Sequence, residues 1–302
     1  MNIPIIASPH VFGLKDEKDL IFLPLSMASA KLSNPDTRII FPNFNNCILN
    51  IAGIEELKLD ALHIEGINQL RNCYLHLSTN TAAFELFCIE RFFTLRHVAK
   101  SLNITEFFTF ESDCLIFKSF ECSREYLDLS SKTPALTNLQ CISTAYLTLE
   151  FLELFCESVL RAYGDPSVLK YMTDWYQEYT HCGRKGGISD MTFCKALSTG
   201  WLNFPKIDIN EFCKLYLSKD GTYRSFDTFL FTDKMPGDDR KILMEESRLN
   251  GSVAKKLFYD RSGVSIVLDD ASRVYLNSVH AQGNSKKDIG VIFSNYLVGI
   301  LS

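Results

Sequence analysis

The stretch RFFTLRHVAKSLNITEFFTFESDCLIF, residues 91–117, holds the end of an amphipathic helix, a short turn and a strongly apolar strand. Asn103 suits the end of the helix, and EFFTF at 106–110 has the aromatic composition of a buried strand. Two acids, Glu111 and Asp113, follow that strand directly. Because a buried charge is costly without a partner, we expect a counter-ion near them.

The segments before this stretch alternate between strand and helix patterns. IPIIAS (3–8) and RIIFP (38–42) predict short buried strands, and residues 20–32 between them predict a helix. CYLHLS (73–78) predicts a further strand, and the capping residues after it open a long helix that ends near Leu102. The strand–helix–strand order predicts an α/β domain with parallel strands.

The second half of the chain gives a less complete prediction. Residues 146–164 and 165–182 predict two helices, and residues 264–270 and 273–280 predict a hairpin that precedes a terminal helix. Residues 214–255 are polar and irregular, and no element is assigned there. Neither an internal repeat nor a linker interrupts the sequence, so a single domain is the simplest interpretation.

Composition excludes several classes of function. The 302 residues include 31 Lys and Arg against 36 Asp and Glu, a formal charge of −5, so no nucleic-acid partner is expected. Ten cysteines without a C-x-x-C pair predict reduced thiols and a cytoplasmic location. We expect neither a signal peptide nor a transmembrane segment. The apolar C-terminal DIGVIFSNYLVGILS predicts a core helix, or alternatively a peripheral membrane contact.

The acid pair has the composition of a metal site. Side chains two positions apart share a face of a strand, so Glu111 and Asp113 would present two carboxylates at its carboxyl end. Mg²⁺ prefers such oxygen ligands together with phosphate oxygens, and Mn²⁺ also accepts imidazole. Open α/β sheets bind ligands at this edge, which suits a nucleotide diphosphate bridged by metal. The alternative is an acidic turn in solvent.

The segment SVHAQGNSKKDI, residues 278–289, offers an imidazole and two lysines near the C-terminus. His280 ends the predicted strand, where it could supply a third metal ligand, and Gly283 opens a turn into the terminal helix. Lys286 and Lys287 would lie in the first helical turn, where cations oppose the helix dipole unless an anion is bound there. The alternative is a surface turn with two exposed lysines and a half-buried histidine.

Two further positions combine charge with a buried or tight context. Arg91 falls on the apolar stripe of its helix, so we expect its guanidinium to end near an anion. GGISDM, residues 186–191, lets the backbone approach a ligand closely and places Asp190 at a helix start. Asp190 then either stabilises the helix dipole or contacts a hydroxylated substrate, with the option of serving as a base.

Four segments of the chain together resemble the GT-A-fold glycosyltransferases, which use nucleotide sugars. In chain order they are NPDTRIIFPN (34–43), IERFFTLRHVAKSLNITEFFTFESD (89–113), GGISDM (186–191) and HAQGNSKK (280–287). The last is similar to the terminal His-x-x-Gly-x-x-Lys motif of the glycogenin-like and lipopolysaccharide galactosyltransferase families. The resemblance implies an α/β GT-A fold, a Rossmann-like, mixed and mostly parallel sheet flanked by helices.

The resemblance also implies roles for individual residues. Glu111, Asp113 and His280 would bind a divalent metal, Mn²⁺ or Mg²⁺, and Asp190 would be the catalytic residue facing sugar or acceptor. The residues that would contact the donor are Arg91, Ser112, Gly283, Lys286 and Lys287. Two departures from the family pattern matter: Glu111 stands where an aspartate is expected, and the final motif ends in Lys-Lys rather than Lys-Pro-Trp.

The function implied is a metal-dependent hexosyltransferase. It would move a sugar from a UDP- or GDP-sugar donor to a glycan or other hydroxyl acceptor. Its single domain would span residues 1–302, with a donor-binding part over about 1–120 and an acceptor-side part over about 121–302. The first alternative is a non-catalytic relative that binds a nucleotide, sugar or protein partner. The second is a phosphohydrolase that acts on a nucleotide diphosphate.

Overall fold

The computed structural model describes residues 2–8, 22–44, 50–230, 232–234, 239–246, 253–281 and 283–301. The strands are β1 (Ile5–Ile6), β2 (Ile39–Asn43), β3 (Ile54–Lys58), β4 (Glu106–Phe110), β5 (Cys114–Ile116), β6 (Ala135–Thr137), β7 (Cys141–Thr148), β8 (Asn210–Glu211), β9 (Tyr216–Leu217), β10 (Tyr223–Phe229), β11 (Met244–Glu246), β12 (Val253–Lys255), β13 (Phe258–Asp260), β14 (Gly263–Val267) and β15 (Arg273–His280). The α-helices are α1 (Phe22–Ser33), α2 (Ile67–Cys73), α3 (Ala82–Ser101), α4 (Leu149–Gly164), α5 (Pro166–His181), α6 (Asp190–Thr199) and α7 (Ile289–Leu301).

The main sheet has seven strands in the order β3-β2-β1-β4-β7-β6-β8. The neighbours among β1 to β4 are parallel, β7 runs antiparallel to both β4 and β6, and β8 is parallel to β6. Helices pack on both faces of this sheet. The predicted α/β class, with a mixed and mostly parallel sheet flanked by helices, is therefore confirmed.

Alternating side chains of β4 divide the core into two layers. Phe107 belongs to one hydrophobic cluster, in which Phe92 of α3 stacks on Phe155 of α4 at 3.8 Å between ring centroids. Phe108 belongs to the other cluster and stacks on Phe120 at 5.2 Å. Burial on both faces explains why the strand reads as a continuous apolar run in the sequence.

The strand order reverses beside β1, because β2 lies on one side of it and β4 on the other. At such a switch point the connections leave in opposite directions, and the carboxyl ends of the two strands border an open crevice. The Ser8 amide, just after β1, donates to the Phe110 carbonyl at the end of β4 over 2.8 Å. Both strand ends therefore open at one edge.

A second sheet of six strands brings the C-terminal part of the chain to this edge. The predicted hairpin is confirmed as β14 and β15, and β15 also pairs with β10 on its other side. The end of β15 runs antiparallel to β5, with His280 opposite Cys114. This pairing places the end of β15 beside the turn that follows β4.

Several predicted elements differ from the structure. The strand predicted over 73–78 is wrong: Cys73 ends α2, and within the segment only Ser78 forms a β-bridge, to Gly187. The helix predicted from residue 146 starts too early, because β7 continues to Thr148. Strands β9 to β12 lie within residues 214–255, where no element was predicted, and they pair with each other or, for β10, with β15.

The first and last helices begin later than the sequence predicts or lie partly outside the described residues. Residues 20 and 21 of the first predicted helix lie outside the described residues, and α1 begins at Phe22. The predicted terminal helix is confirmed, but it starts at Ile289, after a 3-10 turn over Gly283–Asp288. Within the described ranges, every helix is too short or too polar to span a bilayer.

Candidate functional site

The acid pair lies in a tight turn between β4 and β5. The Glu111 amide donates to the Ser143 carbonyl at 2.9 Å, and the Cys114 amide donates back to the Glu111 carbonyl at 3.0 Å. The Ser26 hydroxyl of α1 holds the far side of the turn by donating to the Cys114 carbonyl at 2.5 Å. The two carboxylates thus meet because the chain turns, rather than through the strand alternation that the sequence suggested.

The expected counter-ion is Arg91. Its helix α3 is capped by Thr81, whose hydroxyl accepts from an amide of the first turn. The guanidinium donates to a Glu111 carboxylate oxygen through Nη1 and to Asp190 Oδ2 at 2.5 Å through Nη2. The three side chains are 9%, 15% and 6% exposed, so one cation joins two nearly buried carboxylates. We call these three residues the arginine cluster.

The two carboxylates of the arginine cluster differ in proton affinity. Burial works to raise the pKa of Glu111, but Arg91 and then His280 outweigh it and lower the pKa below its usual value. At Asp190 burial prevails over the attraction of Arg91, so the pKa is raised. Asp190 is therefore the better proton acceptor of the two.

Asp113 faces a second set of charges. His280 Nε2 lies 3.3 Å from Asp113 Oδ1 and 3.2 Å from Glu111 Oε2, and Lys286 Nζ lies 2.9 Å from Asp113 Oδ2. These attractions outweigh the effect of burial and hold the pKa of Asp113 below its usual range. Burial alone would lower the pKa of His280, but Asp113 and Glu111 raise it to about 10. Asp113, His280 and Lys286 form the second cluster, called the rim cluster below.

The donor set of the rim cluster fits a small hard cation. A single Nε2–H cannot donate well to two carboxylates at 3.2 and 3.3 Å. Ligand atoms held about 2.1 Å from Mg²⁺ at right angles to each other are about 3 Å apart, close to these separations. Asp113, Cys114 and His280 also have ligand atoms within 4.8 Å of one another. The Cys114 thiol donates to the Ser143 carbonyl in the core, while Glu111 Oε2 lies 3.2 Å from His280 Nε2.

The glycine-rich segment builds the wall that carries Asp190. Gly187 has φ of 155°, and a Cβ atom there would lie 2.2 Å from the Leu77 carbonyl oxygen, so only glycine fits. The Ile188 amide donates to the same carbonyl at 2.8 Å. Ser189 then caps α6, whose first residue is Asp190. Close backbone approach thus fixes the start of α6 against the segment that precedes α3.

A cavity of about 810 Å³ collects most of the predicted residues. Those that line it are Arg91, Glu111, Ser112, Asp113, Asp190, His280 and Lys286. Gly283 begins the 3-10 turn that carries both lysines, so these lie ahead of α7 rather than in its first turn. Lys287 is exposed and is not among the described lining residues.

Other residues of the cavity wall were not predicted from the sequence. They include the polar residues Ser8, Asn80, Glu85, Tyr179 and Lys185. Ser8 could have been found from its place at the end of the first strand, since ligands bind at such ends. Glu85 carried a weaker signal, an acid within the apolar FELFC of α3. The remaining three sit in polar surroundings that look like ordinary surface.

Comparison with known proteins gives distant structural likenesses only. Neither a protein-family model nor a curated protein matches the chain. The galactosyltransferase LgtC, solved with donor and acceptor sugar analogs, is 12% identical over 64% of this chain and 69% of its own, with a TM-score of 0.36. An active-site mutant of LgtC is 12% identical over 68% and 71%, with a TM-score of 0.38. Mouse xyloside xylosyltransferase 1, in its apo form, is 9% identical over 68% and 85%, with a TM-score of 0.41. These neighbours are glycosyltransferases, but at such scores the likeness carries no statement about the chemistry of this chain.

Proposed function

We propose that this chain is a metal-dependent glycosyltransferase that moves a sugar, a hexose in the simplest case, from a UDP- or GDP-sugar to a hydroxyl acceptor. The observation that carries the proposal is a convergence at one sheet edge. Asp113 and Glu111 follow β4, His280 ends β15, and Lys286 comes from the 3-10 turn before α7. Two carboxylates, an imidazole and an ammonium group in one open cavity are the groups that a metal-bound diphosphate requires.

The rim cluster would bind the donor diphosphate. Bound Mn²⁺ or Mg²⁺ would offset the negative charge that develops on the leaving diphosphate. Asp113, His280 and one Glu111 oxygen would hold the ion, while Arg91 keeps the other Glu111 oxygen in place. The Lys286 ammonium is 39% exposed, so it can turn from Asp113 towards a phosphate oxygen.

Asp190 of the arginine cluster would serve the acceptor side, and Arg91, expected from the sequence to contact the donor, would hold Glu111 and Asp190 in place. The attacking hydroxyl must lose a proton, and Asp190, with its raised pKa, is the better-placed acceptor within this cluster. Arg91 fixes the orientation of that carboxylate through Nη2 at 2.5 Å. A raised pKa brings the carboxylate nearer to neutral pH, which favours proton transfer from a hydroxyl.

One observation favours the alternative of a non-catalytic binding protein. Both carboxylates of the arginine cluster are already satisfied by Arg91, so the candidate base Asp190 is engaged before any substrate arrives. In that case the cavity would bind a nucleotide or sugar without transfer.

A single experiment separates these possibilities. Thermal unfolding is followed with UDP or GDP, with and without Mn²⁺, and free sugar is measured in parallel from UDP- and GDP-sugars. The transferase predicts metal-dependent nucleotide stabilisation together with slow donor hydrolysis. Stabilisation without hydrolysis or transfer would favour the binding protein, and neither response would refute both.

A cytoplasmic location is part of the same proposal. The nine cysteines among the described residues form no disulfide with one another, and most of them are buried. Reduced thiols without pairing are typical of a reducing compartment, which supports a cytoplasmic location. Fluorescence microscopy of the tagged chain tests this part independently.

A further inference from the structure

Glu85 is a buried carboxylate in the wall of the 810 Å³ cavity, and none of the functional roles assigned above uses it. The residue is 2% exposed and lies in the first turn of α3. Its carboxylate accepts from the Ser78 hydroxyl and from the Asn80 amide group, each at 2.7 Å. Both hydrogen bonds end on Oε1, and the described residues give Oε2 no partner.

The cations paired in the two clusters contact carboxylates other than Glu85. Arg91 neutralises two carboxylates, and Lys286 and His280 face Asp113. Over the described part of the chain, no cation lies within ion-pair distance of Glu85. Among the described residues, two neutral donors and the N-terminal dipole of its own helix offset its charge. Burial of a carboxylate under these conditions costs stability, and such cost is often found where a ligand completes the site.

The surroundings of Glu85 indicate the ligand class. Phe84, beside it in sequence, lines the same cavity and is 50% exposed. Tyr179 also lines the cavity, but its ring is stacked on Trp175 at 4.8 Å and Arg184 lies over it at 5.6 Å. A ligand would therefore pack on Phe84. Hydroxyl groups suit the open carboxylate oxygen and an apolar ring face suits the Phe84 ring, a combination that sugar rings offer.

We propose that Glu85, with Asn80 and Phe84, forms a subsite for a neutral sugar ring, so that the acceptor of the proposed transferase is a glycan. The identification of this sugar as the acceptor rests on the proposed function. The sugar subsite itself rests on the contacts of Glu85. Glu85 Oε2 accepts hydrogen bonds from ring hydroxyls, and Phe84 packs against the apolar face of the ring.

The test uses Glu85→Gln and a matched control. Glutamine keeps an oxygen that can accept from Ser78 and Asn80, while it removes the charge and the open acceptor. The control is Glu90→Gln on the same helix. Glu90 is also 2% exposed, but it is ion-paired to Arg71 and is not among the described lining residues.

Binding of free galactose, glucose and xylose is measured by saturation-transfer NMR with UDP and Mn²⁺ present. We expect the wild type to bind at least one of these sugars and Glu85→Gln to bind it on the order of tenfold more weakly. Without ligand, Glu85→Gln should keep or raise the Tm because a buried charge is gone. Glu90→Gln should lower the Tm but keep the sugar affinity.

Four results would overturn the subsite. Three are absence of sugar binding by the wild type, equal binding by Glu85→Gln, and a fall in Tm for Glu85→Gln as large as that for Glu90→Gln. The fourth is binding of cyclohexylamine in place of sugars. The Mn²⁺-dependent Tm shift with UDP is recorded on the same samples. Loss of that shift alone counts against the transferase, while sugar binding that depends on Glu85 still supports the subsite.

Discussion

The arginine cluster and the rim cluster share the turn at Glu111, yet they differ in how their charges are balanced. Arg91, Glu111 and Asp190 are each nearly buried, and one helix residue pairs with both carboxylates, while His280 also lies 3.2 Å from Glu111. In the rim cluster the partners of Asp113 come from a strand end and a 3-10 turn, and Lys286 is 39% exposed. The first arrangement is closed, whereas the second is accessible at Lys286, although its Asp113 and His280 side chains are only 9% and 3% exposed.

The difference indicates a division of labour. A closed buried ion pair contributes little net stability, but removal of one partner leaves a charge stranded in a low-dielectric interior. An accessible set of charges can exchange its internal partners for a ligand. We therefore expect substitutions in the arginine cluster to affect folding first, and substitutions in the rim cluster to affect ligand binding first.

The largest effect is expected from Arg91→Met. Two buried carboxylates would lose their cation, and the free energy of unfolding should fall by about 3–5 kcal/mol. Urea unfolding followed by circular dichroism measures the change. Arg38→Met is the control, because Arg38 and its partner Glu55 are both about half exposed, and it should cost at most about 1 kcal/mol.

A companion variant sharpens this prediction. Glu111→Gln and Asp190→Asn combined with Arg91→Met should recover part of the lost stability, since no buried charge remains unpaired. If Arg91→Met alone stays within about 1 kcal/mol of the wild type, the arginine cluster does not hold the fold.

Asp113→Asn should leave the fold largely intact and abolish binding of the metal-bound nucleotide. With UDP and Mn²⁺ at 100 times the dissociation constant, the wild type gains about 2.7 kcal/mol, and the variant should gain nothing. Thermal unfolding with and without the two ligands measures this gain. An undiminished gain in the variant would show that the rim cluster is not the metal site.

The ion-free protein should lose stability as the pH rises. The pKa of His280 is raised in the folded state from 6.5 to about 10, so its contribution is fully present below pH 6.5 and is lost as the pH rises through about 10. A single group changes the free energy of unfolding by at most about 1.4 kcal/mol per pH unit. Urea unfolding in EDTA over this range measures the slope, and His280→Gln should flatten it. A flat wild-type profile would contradict the assignment.

The smallest effect separates two adjacent lysines. Lys286→Met should weaken UDP binding in the presence of Mn²⁺ by roughly 1 kcal/mol, or about fivefold, because one ammonium contact to phosphate is lost. Lys287→Met should leave the affinity unchanged, since Lys287 is exposed and outside the described cavity lining. Isothermal titration compares the two variants, and equal losses would mean that only general positive charge matters.

Elements whose sequence signals involve neighbouring residues were predictable. The strand EFFTF matches β4 at both ends, and the hairpin of β14 and β15 follows the alternation seen in the sequence. Thr81 caps α3 as the polar residues before the helix indicate, and Asn103 takes the left-handed conformation with φ of 53°. Periodicity and capping act between neighbours along the chain, so a single sequence contains them.

Elements that depend on distant partners were not predictable in this way. Residues 73–78 have a strand pattern, but a strand needs a neighbouring strand to pair with. Within this segment only Ser78 forms a β-bridge, to Gly187. The sequence predicts a helix for the last residues of β7 because Tyr146 and Leu147 continue the apolar run into α4. Whether such an apolar run forms a strand or a helix is decided by hydrogen bonds to β4, which lies far away in sequence.

By itself, the sequence determined which charged residues lie in apolar surroundings: Arg91 on a buried stripe, and an acid pair after a buried strand. Only the tertiary structure decided that Arg91 pairs with Glu111 and Asp190, that the pairing of β5 with β15 brings His280 to Asp113, and that no cation among the described residues pairs with Glu85. The reason is physical. The burial of a charge follows from local pattern, while its partner is chosen by long-range strand pairing and helix packing, which no short stretch of sequence contains.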